Sequence, residues 1–382
     1  MPDAFVKPLL KWYRLNRRDL PWRRTSDPYA VWISEIMLQQ TRVEAVKDYY
    51  ERFLKELPDV NALAKCPDDK LMKLWEGLGY YSRARNLKKA ACLIAERGGS
   101  FPSDYDSLIA LPGIGPYTAG AVSSIAFGLP VPAIDGNVLR VYARMQSLKQ
   151  NILLPSVRKE AEEYYRRNME SLLSGEQGEA AQRPAQKKRP DGNPAGDFTQ
   201  SLIELGALIC VPNAKPECGG CPVREYCSAF REGIAEELPI RIKDTKRKTE
   251  LRTVLLVRDG AQTAICKRNG AGLLAGLYEF PNLPGFLDSR AVVEYIEQKG
   301  FTALRVRPIG EARHLFSHIE WRMTGYEIRI APDRERQEGA GEKEEKWIFA
   351  GNSEIADKYA VPSAFSVYLK YLTGSSSKRG KE

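Results

Sequence analysis

Four cysteines crowd into one short stretch: Cys210, Cys218, Cys221 and Cys227, spaced C-x7-C-x2-C-x5-C. Four thiolates at such intervals can ligate one [4Fe–4S] cluster, and four cysteines also suit a structural zinc ion. Scattered structural thiols are a poor match to so tight a grouping. Cys66, Cys92 and Cys266 stand alone and read as packed or free thiols. His314 and His318 are the chain's two histidines, so histidine-rich zinc chemistry is nearly excluded.

A second group lies upstream. In LPGIGPYTAG, Leu111 to Gly120, Gly113 and Gly115 supply a tight turn whose backbone can approach a ligand. Pro116 suits the first turn of a helix, whose N-terminal N–H groups can face an anion such as phosphate. An ordinary helix–turn–helix connection would read the same way. Glu35 sits in WIS-E-IML, apolar on both sides, a setting that favours a neutral, proton-donating carboxyl. A surface glutamate beside an apolar stripe is the plainer reading. Asp135 precedes a helix starting at Gly136, and by itself reads as an N-cap.

The elements that must hold these residues are mostly helices. Helical spacing predicts Ala30 to about Arg52, Asp69 to Glu76, Ser82 to Glu96, Pro116 to Ile125, Gly136 to Met145 and Ser156 to Leu172. Residues 174–196 are polar and Gly/Pro-bearing, and read as a disordered insertion. Helical periodicity resumes at Phe198, and 233–248 reads as a linker. Beyond it, TVLLV, Asp259-Gly260 and TAICK predict a β-hairpin with a longer loop. HLFSHIEWRMTGYEIRI is strand-like, and AVVEYIEQK is a helix between the two strand regions. The tail 373–382 reads as disordered.

The chain has 382 residues, 43% apolar and 28% charged, enough for two or three globular domains. Its formal charge of +9 favours a polyanionic partner without proving one. No apolar run approaches a membrane span and the N-terminus has no signal-peptide core. The expectation is a cytoplasmic protein, nucleoid-associated if bacterial, with no membrane contact.

Asp135 lies in VPAIDGNVLRV, twenty residues beyond Gly115. Together these segments resemble the helix–hairpin–helix Gly/Pro-Asp signature of the DNA glycosylase superfamily. With WISEIMLQQTRV (32–43) and GLGYYSRARNL (77–87), nearly the whole chain resembles the MutY-type adenine DNA glycosylases. The resemblance implies a multidomain fold. A mostly α helix–hairpin–helix catalytic region (1–232) with an iron–sulfur loop would precede an α+β Nudix-like domain (249–372).

It also implies roles. Glu35 would protonate the departing adenine and Asp135 would stabilise the oxocarbenium-like sugar. Tyr117 stands where the lyases of the superfamily carry a Schiff-base lysine, which a tyrosine cannot replace. It would order Asp135 and the sugar. Arg18, Trp22, Arg23 and Glu204 would line the adenine pocket. Gln40, Thr41, Leu78, Tyr80, Gly113 and Gly115 would meet DNA, with Gln40 and Tyr80 as wedges and Tyr81 the alternative packed aromatic. Cys210, Cys218, Cys221 and Cys227 would hold one [4Fe–4S] cluster, although the first gap is one residue longer than the family's. Lys215 and Arg224 could meet phosphates. In the Nudix-like domain, Tyr295, Gln298 and Lys299 disrupt the carboxylate set of a working hydrolase. The domain therefore reads as a binder, with Phe316, Ser317 and His318 recognising 8-oxoguanine.

The expected partner is duplex DNA carrying adenine opposite 8-oxoguanine or guanine, met by a monomer. Contacts with replication or repair proteins are compatible with this. The competing classes are a glycosylase with lyase activity, a catalytically silent lesion sensor and a Nudix hydrolase.

Overall fold

The computed structural model describes residues 3–180, 193–212, 214–242, 247–268, 270, 272–332 and 347–372. The described parts of 1–65 and 85–243 form one compact unit, and those of 66–84 and 244–382 form a second.

The first unit is helical. Its helices are α1 (Val6–Asn16), α2 (Pro28–Leu38), α3 (Val43–Glu56) and α4 (Val60–Lys65). Segment 66–84 then contributes α5 (Asp68–Leu74) to the second unit. The first unit resumes with α6 (Ser82–Glu96), α7 (Tyr105–Ile109), α8 (Pro116–Ile125), α9 (Gly136–Met145), α10 (Pro155–Ala180), α11 (Pro194–Leu208) and α12 (Ser228–Arg231).

Helix α2 explains where the site must be. Asp27 caps it by accepting the N–H groups of Tyr29 and Ala30, and Pro28 starts it. Every residue from Tyr29 to Met37 is buried. A helix apolar on all faces belongs in a core, so its polar member, Glu35, goes inside with it. The sequence predicts one helical stretch from Ala30 to about Arg52. The chain instead breaks between Leu38 and Val43, where Gln40 takes a left-handed conformation at φ 58°. A lone non-glycine residue in that region ends a helix.

At both ends of 174–196 the structure departs from the disordered reading. Helix α10 runs on to Ala180, and Asn193 caps α11 by accepting the N–H of Gly196. Pro194 to Gly196 are thus helical, and 181–192 lie outside the described residues. The tail 373–382 does too.

Among the described residues the second unit has seven strands: β1 (Lys248–Asp259), β2 (Gln262–Lys267), β3 (Tyr278–Glu279), β4 (Asn282–Pro284), β5 (Ala303–Leu315), β6 (Ile319–Ile330) and β7 (Trp347–Gly351). The order is β3-β2-β1-β6-β5, with β4 on β1 and β7 on β2. Strands β1 and β6 run parallel, from Lys248 opposite Ile319 to Arg258 opposite Arg329. The β1–β2 hairpin closes tightly, Asp259 opposite Gln262, rather than through a longer loop. Alternate residues of TVLLV feed two cores. Val254 and Leu256 pack with Trp321 and Phe365, and Leu255 and Val257 with Val292 and Ile296 of α13 (Ser289–Gln298). Helices α14 (Asn352–Lys358) and α15 (Ser366–Leu369) complete the unit.

Segment 66–84 lies in the stretch expected as the catalytic region, yet packs with the sheet. Asp69 pairs with Lys267 at 2.6 Å and accepts the Tyr278 hydroxyl at 3.2 Å. Glu76 accepts the N–H of Val361 at 2.9 Å. The stretch 233–242, read as linker, is also part of a core. Ala235 and Leu238 are buried against Cys218 and Cys227.

A candidate active site in the helical unit

The hairpin joins α7 to α8 as its glycines predict. Gly113 has φ +78°, and a Cβ there would lie 2.6 Å from Asn86 Cβ. Gly115 differs: its backbone is extended, it caps α8, and nothing crowds its Cα. Its lack of a side chain leaves the approach to the first N–H groups of α8 open. Gly120 backs so closely on the next segment that a Cβ would meet the Pro132 carbonyl oxygen at 2.4 Å. That approach brings α8 to the irregular segment that leads into α9.

Tyr117 in the first turn of α8 donates its hydroxyl to Glu35 Oε2 at 2.7 Å. Burial pushes Glu35 up to about 7; the Tyr117 hydrogen bond opposes this, the charge of Asp135 adds to it, and Arg23 opposes it. A carboxyl poised there can give up a proton near neutrality. Burial, with Glu35 and Asp135 nearby, also holds Tyr117 well above the ordinary phenol range, so it stays a donor.

Asp135 is indeed an N-cap. Its Oδ1 accepts the N–H of Val138 at 2.8 Å and its Oδ2 the Asn137 amide at 2.7 Å. Burial raises its pKa while these bonds and Arg140 oppose the rise. The capping and catalytic readings are therefore compatible, because the cap fixes the carboxylate whose charge reaches Glu35.

Glu204 is fully buried on α11. Arg18 donates its backbone N–H, Nε and Nη2 to it, at 2.9, 3.0 and 2.6 Å. Arg23 donates Nη1 and Nη2, at 2.9 and 2.7 Å. Burial alone would raise this carboxyl, but the hydrogen bonds from Arg23 and Arg18 hold it at about 2. Trp22 is buried beside them, its ring edge-on to Tyr50 at 5.6 Å.

Asn137, Arg140 and Arg144 escaped the sequence reading. Arg140 Nη2 donates to Asn137 Oδ1 and to the Gly206 carbonyl, and its Nε to the Cys210 carbonyl at 2.6 Å. Arg144 Nη1 donates to Cys210 Sγ at 3.2 Å. The signal was present: two arginines four apart on the otherwise apolar helix VLRVYARM must share one face. Helices α9 and α11 touch at Gly206, where a Cβ would lie 2.6 Å from Asn137 Cβ.

The four clustered cysteines line one apolar cavity with Val141, Met145, Leu205 and Ile209. Burial pushes Cys221 up to about 12 and raises Cys218 and Cys227 as well. Among the described residues, no three His, Cys, Asp or Glu side chains gather as ligands of a single metal ion. Lys215 lies 3.8 Å from Glu236, and Arg224 lies over the Phe230 ring.

Gln40 is exposed, and Thr41 is half-buried, its hydroxyl turned to the Gln39 carbonyl at 3.3 Å. In the second unit Tyr80 is exposed with φ 47°, while Tyr81 is buried. Arg83 braces that loop. It donates to the carbonyls of Leu78 and Gly79 and lies over the Tyr80 and Trp75 rings. The Leu78 side chain is buried, which leaves its backbone for any contact with DNA. Phe316 is less open than a lesion-reading residue on a bare turn would be. Its half-buried ring lies edge-on to Trp321 at 4.9 Å and to His314 at 4.6 Å, so only part of it is open to a partner. Leu315, Ser317 and His318 are the exposed members of that turn. The Ser317 hydroxyl lies 3.2 Å from the Tyr80 hydroxyl.

A helical unit with a hairpin, a buried acid and a capped aspartate defines a class. Residues 33–167 match the HhH-GPD superfamily of base excision DNA repair proteins, and residues 253–371 match the NUDIX domain family. The chain is 31% identical to the adenine DNA glycosylase of Mus musculus, covering 97% of this chain and 79% of that one. It is 32% identical to that of Buchnera aphidicola subsp. Baizongia pistaciae, covering 83% of each. The adenine DNA glycosylase of Arabidopsis thaliana is 34% identical over 81% of this chain, which spans 55% of the plant protein. This chain belongs to the adenine DNA glycosylase family and is a DNA glycosylase.

Proposed function

We propose that this protein removes adenine paired with 8-oxoguanine or guanine in duplex DNA, hydrolysing the N-glycosidic bond without efficient strand cleavage. The observation that carries the reading is the pair formed by Glu35 and Asp135. One is a buried acid pushed up to about 7, the other a carboxyl anchored on the N-terminus of a helix. Two carboxyls in unlike environments can divide acid and charge-stabilising work.

The base must first leave the stack to reach so buried an acid. Tyr117 occupies Glu35 Oε2, leaving Oε1 to carry the proton. Glu35 gives that proton to the adenine ring as the bond to the sugar breaks, and the electron pair departs with the base. Positive charge develops on the sugar, where Asp135 stabilises it. A water molecule then adds to the anomeric carbon and gives its proton to the Glu35 carboxylate, which restores the acid. The Tyr117 hydroxyl cannot form a Schiff base, which supports hydrolysis over lyase chemistry. Arg18, Trp22, Arg23 and Glu204 form the wall for the base. Gln40 and Tyr80, both exposed and both in left-handed backbone, would enter the duplex. Ser317 and His318 would read the partner base.

The cysteine loop fits one [4Fe–4S] cluster. Four sulfur donors surround one apolar cavity, with no carboxylate or imidazole among its lining residues. Burial disfavours the thiolates; Arg144, which donates to Cys210 Sγ, opposes this, and the iron of a bound cluster would supply the rest of the compensating charge. The cluster would brace the loop; the glycosidic chemistry lies with the carboxyls.

The test is a single-turnover reaction on a duplex with one adenine opposite 8-oxoguanine, each time point split between alkali and neutral workup. Breaks only after alkali support the proposal. Breaks in both would favour a lyase. Tight binding without breaks would make the protein a silent sensor.

A further inference from the structure

Arg23 lies among two carboxyls of opposite character. Both its Nη groups go to Glu204, and Nη1 also reaches the Arg18 carbonyl at 3.1 Å. None of its described hydrogen bonds goes to Glu35, whose described partner is Tyr117. Yet Arg23 is near enough for its charge to act on Glu35, in the direction of ionisation. An uncompensated guanidinium beside a buried carboxyl favours the carboxylate. An acid held ionised has no proton to give.

We infer that Glu204 is a positioning residue for the acid. By capturing the Arg23 fork it offsets part of the positive charge acting on Glu35 and holds both Nη groups in hydrogen bonds to itself, which favours the protonated acid. The inference rests on Glu35 being the proton donor. It differs from a direct contact between Glu204 and the base, because a carboxylate whose oxygens both accept arginine donors has little left to offer adenine.

The groups acting on each member are few. Glu35 on α2 faces Tyr117 of α8, Asp135 at the start of α9 and Arg23 of the 21–23 turn. Arg23 faces Glu204 of α11, Glu35, and Tyr13 of α1, whose ring centroid lies 5.7 Å from the guanidinium carbon. Glu204 faces Arg23 and Arg18. Asp135 and Glu204 therefore push Glu35 the same way, one directly and one by way of Arg23.

The experiment uses the full chain with glutamate ¹³C-labelled at the side-chain carboxyl. The Glu35 titration is followed by NMR without DNA, its resonance assigned by its loss in Glu35→Gln. Single-turnover excision is followed in parallel from about pH 5 to pH 9. Glu204→Gln should lower the Glu35 midpoint by about one pH unit or more. The falling limb of the rate profile should move with it, the position of the limb and not the absolute rate being the readout. Arg18→Gln should move the midpoint upward, by less, because Glu204 then carries more uncompensated charge. An unmoved midpoint in Glu204→Gln, with the rate lowered by one factor at every pH, overturns the inference and leaves Glu204 as a base contact. If Glu204→Gln does not fold, Arg18→Gln decides: Arg18 is about one-third exposed, and an unchanged or lowered midpoint overturns the inference. Undiminished excision by Glu35→Gln would instead remove the acid assignment, while the midpoint in Glu204→Gln still reports the electrostatic coupling separately.

Discussion

The carboxyl site of the helical unit and the 315–318 turn of the sheet unit are built in opposite ways. In the first, every functional side chain is buried or half-buried and tied to another: Glu35 to Tyr117, Asp135 to Asn137, Glu204 to two arginines. In the second, Ser317 and His318 stand in the open on a turn whose ring, Phe316, is half-buried against Trp321. A low-dielectric site makes each charge consequential, so one lost atom disturbs protonation and geometry together. An exposed turn works by contact alone, and loses only the contact that is removed.

This contrast sets the order of expected effects. Glu35→Gln should lower single-turnover excision by about 10³-fold or more while lesion-duplex affinity persists, because it deletes a general acid. A loss under tenfold would break the contrast at its strongest point. Phe316→Ala should next cost about 2 kcal/mol in the unfolding of the sheet unit, roughly thirtyfold in that equilibrium. Denaturant titration checks this. An unchanged midpoint, with weaker lesion-duplex binding, would return Phe316 to the DNA surface.

The pH dependence comes third. Glu35 titrates at about 7 and acts when protonated, so excision should fall as pH rises through that value. From pH 7 to pH 9 the fall should approach tenfold per unit. A flat profile over this range would mean that the acid is another group. Smallest should be Ser317→Ala, a few-fold loss opposite 8-oxoguanine with little change opposite guanine. Equal losses on both duplexes would place the reading of the partner base elsewhere.

What the sequence disclosed follows from how local each signal is. Helices α8 and α9 fall where Pro116 and Asp135 predict, because a proline in the first turn and an N-cap act within one turn. The Ala30–Arg52 stretch misled because its break depends on Gln40 in a conformation that glycine usually marks. Nothing in the spacing relates Arg18 and Arg23 to Glu204, which is more than 180 residues away. Only the family resemblance drew those residues together, and it did not foresee the double fork. Period-two alternation could have shown that His314 and Phe316 share the inner face while Leu315 turns out. The packing of 66–84 with the sheet unit rests on pairs such as Asp69 with Lys267, which local patterning cannot reveal.

Gly206 carries a consequence for tolerance to change. It is the point where α11 rests on Asn137, and Asn137 holds the carboxylate of Asp135. The thickness of one missing methyl group thus gauges the spacing between the helix that carries Glu204 and the helix that Asp135 caps. Drift at this position is confined by a distance rather than by any chemistry of its own. A methyl there would act as a shim, loosening both carboxyls without touching either.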